Sequence, residues 1–222
     1  MFSIIVRTKN ESRWIGHCLQ SLIDNFTQSE IIIVDNNSTD NTIEIVNLFK
    51  KDPKLKENKD NKYADIKLLS IKDYSPGKAI NMAVKESSYQ YILVISAHCV
   101  INSINLKDIE IDLSEHVSVF GKQIPIYNGK KITKRYIWSN FGNDKITNPF
   151  SELENRYFLH NAACFYRKPI LIENPFDEYL VGKEDRYWAN KIIEKNFSYV
   201  YNPSFVVDHH YTPNGNTWKG IG

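Results

Sequence analysis

The chain has 222 residues, of which 42% are hydrophobic and 24% are charged, and its formal net charge is +2 at pH 7. This length and composition are sufficient for the buried core of a globular domain. The net charge is too small to predict a nucleic-acid partner, so we expect none.

The first hundred residues alternate predicted strands and helices. Apolar runs predict strands over 2–6, 30–34, 66–70 and 91–95. Between them, helical spacing predicts a helix over 14–26 capped by Asn10, a second over 43–49 capped by Ser38 or Thr39, and a third opening in "SPGKAINMAV". The lysine-rich residues 50–65 are predicted to form a surface loop. This βαβαβαβ order predicts an α/β fold with a parallel sheet and right-handed crossovers.

The second half is less regular. We expect a strand over 117–120, a loop-rich stretch over 127–160, an amphipathic helix over 183–195 and an extended segment carrying "VVDHHY". Because no repeat or linker interrupts the chain, the sequence predicts a single domain over 1–222. Its two functional halves would be 1–104 and 105–222.

Polar clusters follow three of the predicted strands. "TKNE" follows the first strand, "DNNSTD" the second and "SAHC" the fourth. Helix capping explains any one of these clusters. Together, however, they would line the carboxyl edge of a parallel sheet, where ligands of such sheets bind.

The order of these stretches resembles family 2 glycosyltransferases of the GT-A fold. The resemblance is carried by "SIIVRTKNE", "IIIVDNNSTDNT", "SPGKAIN", the strand ending in "SAHC" and "GKEDRYWANKII", and it covers nearly the whole chain. The closing "HHYTPNGNTWKG" resembles the bacterial rhamnosyltransferase-like enzymes of surface polysaccharides. The resemblance implies a mostly parallel central sheet with flanking helices, a nucleotide-sugar-binding half over 1–104 and a loop-rich acceptor half over 105–222.

The resemblance also implies that a UDP- or dTDP-type sugar donor binds at the sheet edge. Asp35 matches the aspartate that accepts a hydrogen bond from the base, and a carboxylate suits the imide N–H of uracil or thymine. Gly77 and Lys78 match a turn near the diphosphate, although a surface lysine at a helix start is an equally good reading of Lys78. The implied donor-binding residues are Thr8, Asn10, Glu11, Asp35, Asn37, Asp40, Gly77, Lys78, Ser96 and His98.

The end of the fourth strand departs from the family pattern. Most members have Asp-x-Asp there, which orients the ribose and binds Mg²⁺ or Mn²⁺ against the diphosphate, whereas this chain has Ser96-Ala97-His98. Ser96 can hydrogen-bond a ribose hydroxyl. A neutral imidazole of His98 would ligate Mn²⁺ better than Mg²⁺. A direct contact of His98 with phosphate and a purely structural histidine are the alternatives, so the sequence leaves metal dependence open.

The motif "GKEDRYW" matches the acidic pair that the family places below the acceptor. An alcohol needs a base to become a good nucleophile, so Asp185 is predicted as the general base and Glu184 as its orienting partner. Acidic residues that simply open a helix are the alternative, and the helix N-terminus predicts an ionised Asp185 at neutral pH.

Histidines and aromatic residues complete the predicted site. His209 and His210 are late candidates for a metal ligand, and because neighbours on a strand point to opposite faces, at most one should reach the site. The resemblance implies acceptor contacts for His160 and Asn161, and Trp188 could stack on a sugar face.

We therefore expect an inverting glycosyltransferase that moves a sugar from a nucleoside diphosphate to a hydroxyl of a bacterial surface glycan such as capsule, O-antigen or lipooligosaccharide. A catalytically silent binding module and a sugar nucleotidyltransferase are the alternatives. The second would need a glycine-rich first loop, which "VRTKNESRW" lacks. Three widely spaced cysteines and the lack of a signal peptide or spanning segment predict a cytoplasmic protein. A lipid-linked acceptor would place it at the inner face of the membrane as a peripheral protein.

Overall fold

The computed structural model describes residues 1–52, 63–131 and 136–218. Most of the predicted surface loop over 50–65 lies outside these ranges, as do the last residues of "HHYTPNGNTWKG". The helices are α1 (Ile15–Asn25), α2 (Thr42–Lys51), α3 (Pro76–Glu86), α4 (Leu106–Glu115), α5 (Lys168–Glu173) and α6 (Glu184–Glu194). The strands are β1 (Phe2–Thr8), β2 (Gln28–Asp35), β3 (Tyr63–Ser70), β4 (Tyr91–Ser96), β5 (Cys99–Ser103), β6 (Ser118–Tyr127), β7 (Lys130–Lys131), β8 (Ile146–Thr147), β9 (Phe150–Ser151), β10 (Arg156–Tyr157), β11 (Ala163–Arg167) and β12 (Val200–His210).

The central sheet runs in the order β3-β2-β1-β4-β11-β6-β12-β5. Its first four strands are parallel, as the alternation of strands and helices predicts. β11 is antiparallel to both β4 and β6, while β12 pairs parallel to β6 and antiparallel to β5. The fold is thus a mixed sheet whose parallel half comes from the first part of the chain.

Helices cover both faces of this sheet. Along β1, Ile4 and Val6 pack in one core cluster with α1 and α4, whereas Ile5 packs in the other with α3 and α6. This alternation is the period of a strand, and both faces are apolar because both are covered. Each cluster removes a continuous apolar surface from water, which is the main stabilising term of the fold.

The starts of two helices differ from the sequence-based prediction. α1 begins at Ile15 without a side-chain cap, and Asn10 instead has a positive φ of 51° and accepts a hydrogen bond from Thr39 N at 2.7 Å. α2 begins at Thr42, whose backbone N–H donates to Asp40 at 3.0 Å, so neither Ser38 nor Thr39 caps it. These polar residues join two loops to each other rather than each serving its own helix.

The irregular half contains more strand than the sequence predicts. β6 extends to Tyr127, seven residues beyond the predicted end, and β5 follows β4 after a tight turn at Ala97 and His98. The predicted helix over 183–195 is confirmed as α6. Within the described ranges of the chain, no helix combines the length and the apolar composition needed to cross a bilayer.

Candidate active site

A cleft of about 400 Å³ opens at the carboxyl edge of the parallel strands, within the size range of small-molecule sites. Strand pairing brings the polar ends together, because Thr8 lies opposite Asp35 and Arg7 opposite Ser96. Segments 160–162, 181–186 and 214–217 of the second half, together with Ile137, close the cleft from the other side. The predicted site residues that line it are Thr8, Glu11, Ser96, His98, His160, Asn161, Glu184 and Asp185.

The two loops at the ends of β1 and β2 are locked together by hydrogen bonds. Asn10 N donates to Ser38 Oγ at 2.8 Å, and Ser12 N donates to Asp40 Oδ2 at 3.0 Å. Although burial alone would raise the pKa of Asp40, the hydrogen bonds from Thr42 and Ser12 outweigh it and lower that pKa. Asn10 and Asp40 do not line the cleft and hold the two loops together, so their contact with the donor stays a prediction.

Asp35 is also engaged within its own loop. Its carboxylate is buried and accepts from Ser38 N at 3.0 Å and from Ser38 Oγ at 2.5 Å. Each carboxylate oxygen can accept a second hydrogen bond, so the contact of Asp35 with a base stays a prediction. In contrast, the hydroxyl of Thr8 is buried in the wall of the cleft and has no hydrogen-bond partner among the described residues.

Three further predicted donor contacts lie outside the cleft lining. Asn37 is exposed with a φ of 51°, and its side-chain amide donates to Ile71 O at 3.3 Å. A Cβ on Gly77 would approach Asp177 O to 2.3 Å, so this glycine is required for packing against the chain before α6. Lys78 Nζ lies 3.9 Å from an exposed carboxylate of Asp73. These three residues thus have local contacts in the structure, and their predicted donor contacts stay predictions.

Glu184 and Asp185 form a buried carboxylate pair at the start of α6. Arg7 Nη1 donates to Glu184 Oε1 at 3.2 Å, and Asn161 Nδ2 donates to the same oxygen at 3.3 Å. Asp185 accepts from the backbone N–H groups of Asn161 at 3.2 Å and Arg186 at 2.8 Å. Glu184 is thus held by a cation and an amide side chain, whereas Asp185 is held by backbone donors alone.

Burial dominates the acidity of this pair. It raises the pKa of both carboxyls above their ordinary values, and for Glu184 the neighbouring Asp185 raises the pKa further while Arg7 opposes the rise. For Asp185 the Asn161 N–H and the charges of Arg186 and Arg156 oppose the rise without cancelling it. Desolvation therefore outweighs the hydrogen bonds and charges that favour the ionised form of Asp185, and its ionisation at neutral pH stays a prediction.

Two imidazoles meet where His98 lines the cleft. His98 Nε2 lies 3.1 Å from His209 Nε2, while His98 Nδ1 lies 3.1 Å from Glu11 Oε1. His209 Nδ1 lies 2.8 Å from Gln123 Oε1. His210 points to the opposite face, where it stacks on Trp14 at 3.9 Å between ring centroids. Of the two adjacent histidines only His209 contacts His98, from behind the cleft wall, and His210 is corrected as a metal candidate.

These donors fit a divalent cation. Each ring presents its Nε2 to the same point and directs its other nitrogen to an oxygen acceptor, the outer-shell arrangement of metal-ligating histidines. Imidazole ligands without a carboxylate suit Mn²⁺ better than Mg²⁺. The described part of the chain holds no group of three or more histidine, cysteine, aspartate or glutamate side chains for a metal. A cation at this pair would therefore take its other ligands from diphosphate and water.

Two predicted acceptor residues have other roles in the structure. Trp188 is buried in the core, where its Nε1 donates to Asn174 O at 2.8 Å, so it does not face the cleft and that prediction is corrected. Asn161 lines the cleft, but its side-chain amide is occupied by Glu184 and by the hydroxyl of Tyr166. Asn161 thus braces the carboxylate pair.

Sequence reasoning missed Arg7 and Gln123. A charged residue inside the apolar run "FSIIVRT" is the signal that would have identified Arg7. Gln123 lies in "SVFGKQIPIY" and is buried, and nothing in that strand marks it as a site residue because its partners come from other parts of the chain.

A parallel half-sheet with a polar carboxyl edge, extended by antiparallel strands that lead to a buried acidic pair, is the arrangement of the GT-A fold. The chain belongs to glycosyl transferase family 2, whose sequence profile matches residues 3–174. The matched range ends before the acidic pair and His209. The fold and the family predicted from the sequence are confirmed.

Named relatives agree with this assignment. Poly(ribitol-phosphate) beta-N-acetylglucosaminyltransferase TarS of Staphylococcus aureus is 29% identical over 198 residues, which are 86% of this chain and 32% of TarS. O-antigen chain rhamnosyltransferase WbaN of Salmonella anatum is 21% identical over 227 residues, covering 96% of this chain and 67% of that protein. The chain thus spans about a third of the length of TarS.

Solved structures show the same fold. The crystal structure of S. aureus TarS 1–349 in complex with UDP-GlcNAc superimposes with a TM-score of 0.69 at 24% identity, covering 100% of this chain and 61% of that one. Mannosyltransferase PcManGT from Pyrobaculum calidifontis, in complex with GDP-Man and Mn²⁺, gives 0.66 at 15% identity and covers 96% and 58%.

Proposed function

We propose that the chain transfers a sugar from a UDP- or dTDP-type donor to a hydroxyl of a bacterial surface glycan, with inversion at the anomeric carbon. The observation that carries this proposal is a single cleft lined both by the polar ends of β1 and β4 and by the buried pair Glu184 and Asp185. The first part can bind a nucleoside diphosphate, and the second can accept a proton. A catalytically silent binding module would have no need for a desolvated carboxylate in the same cleft.

At the donor end, the unpartnered hydroxyl of Thr8 and the side chain of Ser96 are available to the nucleoside. We expect the diphosphate to bind beside His98, which lines the cleft and contacts His209 behind it. If a divalent cation binds, these two residues would hold it, and it would supply positive charge that stabilises the departing diphosphate. The described residues themselves supply the orientation of both rings.

At the acceptor end, Asp185 is the proposed base. It takes the proton of the acceptor hydroxyl as the oxygen forms its bond to the anomeric carbon and the bond to the diphosphate oxygen breaks. Its raised pKa brings the carboxylate closer to the operating pH, which improves proton transfer. Glu184, paired with Arg7, keeps a negative charge near the forming centre and orients its neighbour.

The relatives support the substrate classes without fixing them. TarS is named for a poly(ribitol-phosphate) acceptor and WbaN for an O-antigen chain, and a TarS structure contains UDP-GlcNAc. The acceptor class that we propose is therefore a glycan or a related polyol polymer of the bacterial surface, free or lipid-linked. In the lipid-linked case the protein would work peripherally at the inner face of the membrane.

Calorimetry with UDP and dTDP tests donor binding. We expect Asp35→Ala to weaken binding by roughly 1–3 kcal/mol, since a base donor would lose its acceptor. Asp24→Ala, at an exposed position on α1, is the control. A second arm measures free sugar released from UDP-GlcNAc and dTDP-rhamnose. No binding of either nucleotide by the folded parent chain would refute the proposal, and binding without any sugar release or transfer would favour the silent module.

Electron paramagnetic resonance of Mn²⁺ tests the cation separately. In the presence of UDP, the parent should bind Mn²⁺ and His98→Ala should bind it far more weakly. His17→Ala removes an exposed histidine of α1 and is the matched control. Full transfer activity in excess EDTA would instead favour a direct contact of His98 with phosphate.

A further inference from the structure

Gln123 connects the two histidine sites of the cleft. Its Oε1 lies 2.8 Å from His209 Nδ1, and its Nε2 lies 2.9 Å from His160 Nδ1. The amide is buried on β6, between His209, which contacts His98, and His160, which lines the cleft. One side chain therefore contacts both histidines from behind the cleft.

The direction of these hydrogen bonds follows from one backbone group. Ala162 N–H donates to His160 Nδ1 at 3.4 Å, and a backbone N–H can only donate. His160 Nδ1 is therefore an acceptor, so the Gln123 atom beside it is the NH₂ group. The Gln123 carbonyl then faces His209, whose Nδ1 must carry a hydrogen.

These hydrogen bonds also determine the protonation of the Nε2 atom of each ring. A neutral His160 that accepts at Nδ1 carries its hydrogen on Nε2, which lies 3.4 Å from Thr217 Oγ1 at the cleft. His209 leaves a lone pair on Nε2, directed at His98 Nε2. Burial lowers the pKa of His160 to about 3, which agrees with a neutral ring.

We propose that Gln123 is a positioning residue that selects both tautomers, so that His209 offers the lone pair of its Nε2 to His98, or to a cation held between the two rings, while His160 offers an N–H to a hydroxyl or ring oxygen of the donor sugar. This inference rests on the proposed function and deepens it. His160 is then a hydrogen-bond donor and does not act as a base, which leaves proton removal to Asp185. A substrate oxygen would replace the weak contact with Thr217.

The consequence is that the two ends of the site are not independent. Loss of the Gln123 amide would remove the hydrogen bonds that fix the tautomer of each ring, although no hydrogen bond joins the two rings directly. If Gln123 had only a structural role, its loss would lower the stability of the protein and leave the tautomers of His160 and His209 unchanged. The tautomers are therefore the decisive measurement.

Nitrogen-15 NMR of histidine-labelled protein tests the tautomers without any ligand. In the parent, His160 should show a protonated Nε2 and His209 a protonated Nδ1. Gln123→Met, similar in size and without hydrogen-bonding groups, should convert both rings to tautomer mixtures. Asn202→Leu removes a buried amide that donates to Asp112 at 2.7 Å and contacts no histidine, so it should lower stability and leave both tautomers unchanged.

The sugar contact is tested by adding UDP, UDP-GlcNAc or dTDP-rhamnose to the parent. A nucleotide sugar that binds should shift the His160 Nε2 signal, and UDP should not. A parent His160 protonated on Nδ1, or unchanged tautomers in Gln123→Met, would overturn the assignment to Gln123. In uniformly nitrogen-15-labelled protein, nucleotide sugars that shift the Asp35 and Ser96 amides but not His160 would overturn the sugar contact alone. If no nucleotide shifts those amides, the proposed function is refuted, and the sugar contact is refuted with it. The tautomer result is independent of this outcome because it is measured without a ligand.

Discussion

Asp40 and Asp185 both lie at the start of a helix, yet they serve opposite purposes. Asp40 lies in the loop after β2, where backbone and hydroxyl donors surround the carboxylate and lower its pKa. Asp185 lies deep in the cleft, where burial raises its pKa although two backbone N–H groups contact it. The two carboxylates differ in the number of their hydrogen-bond donors and in their degree of desolvation. These two differences, and not the position on a helix, distinguish a scaffold carboxylate from the proposed base.

The loops around Asp40 and the part of the cleft around Asp185 differ in the same way. Between the first and second loops, polar side chains satisfy one another, so the loops form a fixed wall for a ligand. Around Glu184, Asp185 and the histidines, charge is desolvated and only partly compensated. Buried charged groups whose desolvation free energy is only partly offset by hydrogen bonds and ion pairs are typical of catalytic sites.

The largest expected effect is on turnover in Asp185→Asn. This change keeps the shape and removes the basicity, so transfer should fall by roughly 10²–10⁴-fold while nucleotide affinity is retained. Rates of transfer, or of slow donor hydrolysis, are compared with binding measured by calorimetry.

Glu184→Gln is the matched variant, and it should lower the rate of transfer less than Asp185→Asn does if Glu184 only orients its neighbour. Near-parental transfer in Asp185→Asn together with loss of transfer in Glu184→Gln would reverse the two roles. If neither change matters, the base lies elsewhere.

Arg7→Met should cost roughly 3 kcal/mol of unfolding free energy, since it leaves the buried Glu184 carboxylate without its cation. Because Arg7 lowers the pKa of Glu184, the loss should shrink as acid neutralises that carboxyl. Urea denaturation near neutral and mildly acidic pH measures both effects. Arg7→Lys keeps a charge and should recover part of the loss, and an equal loss at every pH would contradict the pairing.

A pH-dependent loss of stability is expected from His160. Its folded-state pKa of about 3 lies below the ordinary value of 6.5, so below about pH 6.5 only the unfolded chain binds the proton. The contribution is fully present above that pH and is lost as the pH falls towards 3, by at most about 1.4 kcal/mol per unit. In His160→Gln, unfolding free energy should fall less between pH 7 and pH 5 than in the parent. An identical fall would contradict the buried, neutral ring.

The smallest effect should come from the scaffold carboxylate. Asp40→Ala removes acceptors for Thr42 and Ser12 and should lower stability by about 1–2 kcal/mol. Steady-state kinetics should show a higher KM for the donor with kcat nearly unchanged, because the wall loosens while the chemical groups stay in place. A fall in kcat comparable to that of Asp185→Asn would remove the distinction between the two regions.

The sequence predicted the parallel half of the fold because its strands are continuous apolar runs. It predicted the antiparallel half poorly, since strands such as β5 and β11 are short and pair with distant parts of the chain. Motif position located Asp185 and His98, but the acidity of Asp185 depends on burial that no motif encodes. Gln123 was missed because its role depends on hydrogen-bond partners that lie on β12 and in the segment before β11.

The most direct test of the account is a crystal structure of the chain with UDP and Mn²⁺. The account predicts uracil at the wall formed by the loops of Thr8 and Asp35, the β-phosphate within hydrogen-bonding or metal-bridged reach of His98 and His209, and open space between that phosphate and Asp185 for a sugar. UDP bound away from this cleft, for instance in the groove between α3 and α6, would contradict the claim that one cleft serves both binding and chemistry.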